Sequence, residues 1–460
     1  MAFSATTASA KGIDIDVSGQ ATLYYETHNG NGDGNAAVGA TAANNNGDKG
    51  FANTDSSVAA AGIQLNLGSD LGNNFTFGSQ ITYLGSLGLD KTAVNGQKQS
   101  ANTTNATTAD LALTKIFIAK QIANTTFKAG RQELPKSLSP LAYSEGWNVY
   151  KNTFDAIIAI NTDLPKTTLV GAYVTGGTGM SLGTTSDIVT QTSAGKVDVT
   201  GAAYMITAQT KLIPMTTLTV SYYDLKDVGK NLTPNSRVAA ALGSTNVLPT
   251  RTSIGADAIW VDAQIALPAS IKLGLQGGKV SPDSTLNTKT ALGAVAMDDT
   301  TAYGAKLSTK ISGVSLKAIY TTVDAVATGK VGVSVQNTGT GIKSPLYSQM
   351  MYNQNMISLD ADTIVLGVGY DAGSIGKFAV NYGMTTMGNT NQSANTGITG
   401  DTDYNELDLV YKVKAGGVQY FAIAAIRDID NGGTMNTTTS LNNRNMTKDT
   451  VVRFWARYNF

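Results

Sequence analysis

Apolar and polar residues alternate with a period of two along most of this chain. In "IDIDVSGQATLYYETH" one parity holds Ile13, Ile15, Val17, Gly19, Ala21, Leu23 and Tyr25, and the other holds Asp14, Asp16, Ser18, Gln20, Thr22, Tyr24 and Glu26. Side chains of a strand point alternately to its two faces, so the pattern predicts a strand with one greasy and one polar side. It outruns the about five or six residues usual in a globular sheet and suits the roughly 9–11 that a tilted strand needs to cross a bilayer core. The same alternation returns at Phe75, Phe77, Ile81 and Tyr83, at Ile271, Leu273 and Leu275, at Val314, Leu316, Ala318 and Tyr320, and at Ile364, Leu366, Val368 and Tyr370. "VQYFAIAAIR" (418–427) is apolar on both parities and is assigned from its neighbours. The sequence closes on "TVVRFWARYNF", with Val452, Phe454, Ala456, Tyr458 and Phe460 on one side and Arg453, Trp455, Arg457 and Asn459 on the other.

The connections predict the architecture. Short turns are expected at 69–74, 122–125, 161–166, 212–216, 268–269, 312–313, 373–376 and 415–417. Between them lie long polar stretches at 28–56, 85–108, 133–152, 176–196, 229–252, 282–299, 324–361, 388–402 and 429–448. A membrane barrel sorts its connections this way, with short periplasmic turns on one side and long extracellular loops on the other. The expected fold is all-β: a transmembrane antiparallel β-barrel of about 18 strands, an even number as in single-chain bacterial barrels. Late in strands that run toward the long loops come Tyr24, Tyr25, Tyr83, Tyr173, Tyr222, Tyr223, Tyr320 and Tyr382. They are placed in an aromatic girdle, with Tyr370 and Tyr458 in the opposite one; the alternative is that tyrosine simply suits strands.

Composition narrows the chemistry. No run approaches the roughly 18 apolar residues of a membrane helix. The formal net charge is zero, which argues against nucleic acid as a partner. Without cysteine and with His28 as the one histidine, thiolate zinc sites, thiol nucleophiles and multi-histidine metal sites are excluded. Near the start, Ala8-Ser9-Ala10 before Lys11 looks like the cleavage end of a secretory signal. Residues 1–10 are accordingly read as a signal remnant and 11–460 as a single barrel domain, the alternative being an Ala/Ser-rich tail. "NTGTGIKS" (337–344) resembles a phosphate loop, but Ile342 breaks the Gly-Lys order. "DIDNGG" (428–433) begins like a calcium loop yet has Thr439 at its twelfth position, so a polar hairpin is expected there. A lone loop histidine is a weak basis for catalysis, and no enzyme is expected.

The segment "FKAGRQELPKSLSPLAYSEGWNVYKNTFDAI" (127–157) is richer in charged and bulky residues than the Asn/Gly/Thr loops around it. A loop that folds inward must offer charge to the lumen and anchor itself by packing, so this third loop is expected to be the constriction. Its candidates are Arg131, Glu133, Lys136, Glu145, Lys151 and Asp155, joined from the last strand by Arg453 and Arg457. The alternative is a structured surface loop.

That segment, the third-loop position and the terminal aromatic together resemble the major outer membrane porins of Campylobacter and its relatives, which are similar to OprD-type channels. The resemblance is concentrated at 127–175 and at the end of the sequence. It implies a homotrimeric, water-filled, 18-stranded channel in the bacterial outer membrane, among outer-membrane lipid and lipopolysaccharide. It also implies passive diffusion of ions and small hydrophilic solutes, with Arg131, Glu133 and Asp155 at or beside the narrowing. Some members of that family bind calcium there, which makes Glu133, Glu145 and Asp155 candidate ligands; no other cofactor is expected. Tyr458 and Phe460 resemble the signature that the barrel-assembly machinery reads. A secreted or surface-exposed β-rich adhesin is the alternative function.

Overall fold

The computed structural model describes residues 14–30, 50–89, 92–99, 109–178, 186–187, 202–226, 255–282, 296–325, 330–388, 401–431 and 448–460. Residues 1–10, expected from the sequence to be a signal remnant, and most of the calcium-loop-like hairpin lie outside them. Two strands of the 20-stranded sheet, Gly96–Gln97 and Ser186–Asp187, are short bridges from loops. The remaining 18 make the wall.

In chain order the wall begins with β1 (Asp16–Gly30), β2 (Ser57–Gly72), β3 (Phe75–Gly85), β4 (Asp110–Ile122), β5 (Thr125–Gln132) and β6 (Phe154–Asn161). It continues with β7 (Thr167–Gly177), β8 (Ala202–Thr210), β9 (Thr216–Lys226), β10 (Ala256–Ala266), β11 (Lys272–Pro282) and β12 (Thr300–Ile311). The last six are β13 (Val314–Val323), β14 (Ala361–Asp371), β15 (Lys377–Met387), β16 (Thr402–Ala415), β17 (Val418–Asn431) and β18 (Lys448–Asn459). Each strand pairs antiparallel with the next, and β18 pairs with β1 from Asp449↔Gly30 to Asn459↔Gln20. The cylinder closes, so the wall has no free edge and its backbone groups are satisfied internally.

Local chemistry supplies the turns. The two-residue turns at Asn73-Asn74, Ser312-Gly313 and Gly416-Gly417 carry positive φ at both positions, which matches the type I′ geometry that suits the twist of a hairpin. The first turn is tighter than the expected 69–74, because β2 keeps its ladder to Gly72.

Alternation holds across the wall. On β14, Ile364, Leu366, Val368 and Tyr370 are exposed on the outer face while Ala361, Thr363 and Val365 are buried on the inner one. Tyr83, Tyr173, Tyr222, Tyr320 and Tyr382 stand outward toward the long-loop end. Tyr24 and Tyr223 take the inner parity instead and are buried. Each has an adjacent tyrosine, Tyr25 or Tyr222, and neighbours in a strand cannot share a face.

The interior is partly filled. Leu134, Leu141 and Ala142 of the third connection (133–153), with Val333, Val335, Leu346, Ile357 and Leu359 of the seventh (324–360), pack on the inner faces of β6–β13. Val149 and Tyr150 pack against Tyr24, Val58, Leu84 and Trp455 on the opposite wall. Wall glycines receive loop side chains: a Cβ on Gly62 would lie 2.8 Å from the Tyr150 ring, and one on Gly383 would lie 2.3 Å from Met350 Sδ.

Candidate functional site in the lumen

Glu26, on the inner face of β1, is fully buried beneath the loops. Its Oε2 accepts from Tyr24 at 2.5 Å and Tyr352 at 3.3 Å, and its Oε1 accepts from Lys98 at 3.2 Å. His28 Nε2 lies 3.1 Å from the same Oε1. Arg453, on the neighbouring strand β18, forms an ion pair with Oε2. The Arg453 guanidinium also lies 4.5 Å from the Tyr352 ring and 5.2 Å from the Trp147 ring. Glu406 and Asp408 on β16 accept from the backbone of the seventh loop, at Tyr352 N (2.9 Å) and Met351 N (3.3 Å). Wall carboxylates thus hold loop donors, a compensation that buried charge requires.

The third loop divides its candidates. Glu133 faces inward between Lys115 and Lys151, the latter at 2.8 Å. Burial would raise its carboxyl, but these two ammonium groups hold it below the ordinary value. Glu145 is buried, and its Oε1 accepts from Asn337 Nδ2 at 2.7 Å, Thr340 Oγ1 at 2.5 Å and Lys343 N at 3.0 Å. Lys136 donates to Ser344 O at 3.2 Å and keeps an exposed side chain. Arg457 donates to Asn148 O and Val149 O, which ties β18 to the loop.

Arg131 and Asp155 require a correction. They stand opposite each other across β5 and β6, joined by two hydrogen bonds of 2.8 and 3.0 Å. Arg131 is also opposite Ile116, an exposed outer-wall residue, and Asp155 is two residues from exposed Ile157. Directly opposed residues share a face, so this pair sits on the outer wall rather than in the narrowing. Gly130 takes φ of 121°, yet the register runs through it unbroken, so Arg131 keeps the parity of Phe127.

The calcium candidates do not fit a cation either. A calcium site presents a cage of oxygen acceptors, whereas Glu133 faces two ammonium groups, Glu145 faces N–H and O–H donors, and Asp155 faces a guanidinium. Among the described residues no group of three or more carboxylates or histidines is arranged to hold a metal.

Toward the short-turn end, Lys128, Lys272, Lys306, Lys317 and Lys412 occupy the inner parity. Among the described residues none of the five forms an ion pair. The tip of the seventh loop reaches this level. Tyr347 bonds to Asp262 and accepts from Gln264 Nε2 at 2.6 Å, with Lys306 4.6 Å from its ring. Inward carboxylates such as Glu26 and Glu406 are fully buried and already bonded, while these lysines remain half-buried or exposed. These lysines give the short-turn end of the lumen a cluster of positive charge.

The sequence had pointed to one inward loop. The second, through Lys98 and Gln99, and the seventh, through Lys343, Tyr347 and Tyr352, also turn inward. A signal existed for the seventh: "KSPLYSQMMYNQNMISL" (343–359) has the bulky, Gly-poor composition that singled out the third.

Fold and lumen together define a class: a closed antiparallel barrel of 18 strands whose bore is narrowed by infolded loops. Solved structures of that class resemble the chain. It matches Pseudomonas aeruginosa OccK8 (OprE) at TM-score 0.65 and 13% identity, over 97% of this chain and 98% of that one. Acinetobacter baumannii OccAB3 matches at TM-score 0.63 and 12% identity, over 97% of this chain and all of the other. Pseudomonas aeruginosa OccK2 (OpdF), solved in complex with glucuronate, matches at TM-score 0.61 and 13% identity, over 97% and 98%. At these identities the likeness is one of fold. No protein-family model and no curated protein sequence matches the chain.

Proposed function

We propose that this protein is an outer-membrane porin: a water-filled channel for passive diffusion of small hydrophilic solutes, with a preference for anions. One observation carries the reading. The barrel is closed, apolar outside, and lined near its short-turn end by lysines without carboxylate partners. A barrel of this strand number is too wide for wall side chains alone to fill. Selection then depends on the size of the gap beside the loops and on the sign of the exposed charge. The folds it resembles belong to outer-membrane channels, and the glucuronate bound to one of them is a carboxylate. A secreted soluble adhesin would have to leave the continuous apolar outer face in water, which favours the channel. The homotrimer and the narrower kinship with Campylobacter porins remain part of the proposal, supported by the third-loop segment and by Tyr458 and Phe460.

The test is conductance of the refolded protein in a planar bilayer. Stepwise currents are expected, and a folded barrel that gives none would end the porin reading. In a salt gradient the reversal potential should favour the anion. Lys306→Gln with Lys317→Gln should shift the permeability ratio several-fold toward cations; an unchanged ratio would remove these lysines from the solute path.

A further inference from the structure

The string "NTGTGIKS" fails as a nucleotide loop, yet its backbone closes around an anion. Asn337 N donates to Lys343 O at 2.7 Å and Gly341 N to Asn337 O at 2.7 Å, with Gly341 at φ of 67°. The ring so formed points three donors at one atom, Glu145 Oε1: the Asn337 amide, the Thr340 hydroxyl and the Lys343 backbone N–H. The Trp147 indole donates to the other carboxylate oxygen. Three cations, Lys98, Lys343 and Arg453, lie 5.8, 5.3 and 5.2 Å from the Trp147 ring, two of them paired with Glu26. Asn337 and Glu145 are both buried, which shields their bond from bulk water. Convergent N–H and O–H groups are the chemistry of an oxyanion site. In a phosphate loop the lysine ammonium would turn to the anion. Here Lys343 Nζ turns away to Met350 O at 3.0 Å and to Met351 O, and the third loop supplies the anion instead.

We propose that residues 337–343 form an oxyanion cradle, that Glu145 is its tethered ligand, and that this bond latches the third and seventh loops together as one gate across the lumen. The cradle takes a carboxylate because its donors converge within the span of one carboxylate oxygen. With Glu145 withdrawn, a small free carboxylate fills the vacated position and restores the docking. The proposal rests on the porin reading for its readout, and the two fail separately. A wild-type barrel without channel steps counts against the porin, whereas a conducting wild type indistinguishable from Glu145→Ala counts against the latch.

The experiment is single-channel recording of Glu145→Ala with sodium formate, against sodium chloride at equal ionic strength. The variant should show several-fold larger current fluctuations than wild type, and formate should quiet them along a saturating curve while chloride does not. Asn337→Ala with Thr340→Val, which spoils the cradle but keeps Glu145, should fluctuate equally and gain nothing from formate. A quiet Glu145→Ala channel, formate acting no better than chloride, or formate quieting both variants alike would overturn the latch. Heat-modifiable migration on a gel verifies the barrel in each case. Should Glu145→Ala not refold, the cradle variant decides alone, since a quiet channel there also overturns the proposal.

Discussion

At the scale of the residue, Arg453 and Glu26 show why a buried ion pair has to be judged by its company. Neither side chain reaches water, and an isolated charge in such a place would cost several kcal/mol. Glu26 answers that cost with acceptors shared among Tyr24, Tyr352, Lys98 and His28 besides Arg453. Arg453 has fewer partners, namely Glu26, two aromatic faces and Met351 Sδ at 3.1 Å. The two halves are therefore unequal. Arg453→Met should destabilise the barrel by about 3 kcal/mol or less, because Lys98 stays beside the carboxylate. Glu26→Gln should cost more, toward about 5 kcal/mol, because Arg453 and Lys98 are left facing each other without a carboxylate. Urea unfolding in detergent checks the order; the reverse order would mean that Lys98 does not compensate.

At the scale of the element, the seventh loop separates what periodicity can show from what it cannot. Strands announced themselves through a period of two, and the short and long connections fell close to where polar runs placed them. Parity relative to the lumen was less legible. On β4 the exposed Leu113 and Ile116 are separated by an odd number of positions because the ladder shifts at Gln80/Ile81, leaving Thr114 inside. Period survives a bulge and phase does not. Arg131 is a different case, because β5 alternates without a break from exposed Phe127 to Arg131. Loop docking was legible only as composition, since contacts such as Tyr352 to Glu26 span hundreds of residues. The docked loop also makes a pH prediction. Burial, reinforced by repulsion from Arg453, pushes the Lys343 amine down to about 8 from an ordinary 10.5. Below that range both folded and unfolded chains carry the proton. Between the two values the unfolded chain binds a proton that the folded one lacks, so stability rises with pH. The wild-type advantage over Lys343→Met should grow across this window by about 3 kcal/mol at most. Parallel unfolding curves from pH 7.5 to 10.5 would show that the amine keeps its ordinary affinity.

At the scale of the whole molecule, everything depends on closing the cylinder, and one aromatic residue extends the closing seam. Phe460 continues the β18–β1 ladder past Asn459, exchanging backbone hydrogen bonds of 2.7 and 3.0 Å with Gly19. Its ring lies across Gly19, where a Cβ would meet ring carbons at 2.4 and 2.6 Å and Gln64 O at 2.7 Å. On the same outer face it stacks with Tyr458 at 6.2 Å. The glycine is thus a socket for the ring, and the pair covers the seam at the short-turn end. Deleting Phe460 removes two backbone bonds and the stacked ring but leaves the loops and their lysines untouched. Insertion should fall while the conductance of each channel that does insert stays that of wild type. Gly19→Val should reproduce the defect with Phe460 still present, because the new side chain displaces the ring and presses on the β2 carbonyl. Membrane levels measured beside single-channel conductance separate the outcomes. Normal insertion of both variants would mean that the ring is incidental to closure. A conductance change in proportion to the insertion loss would mean that the seam shapes the bore as well as sealing it.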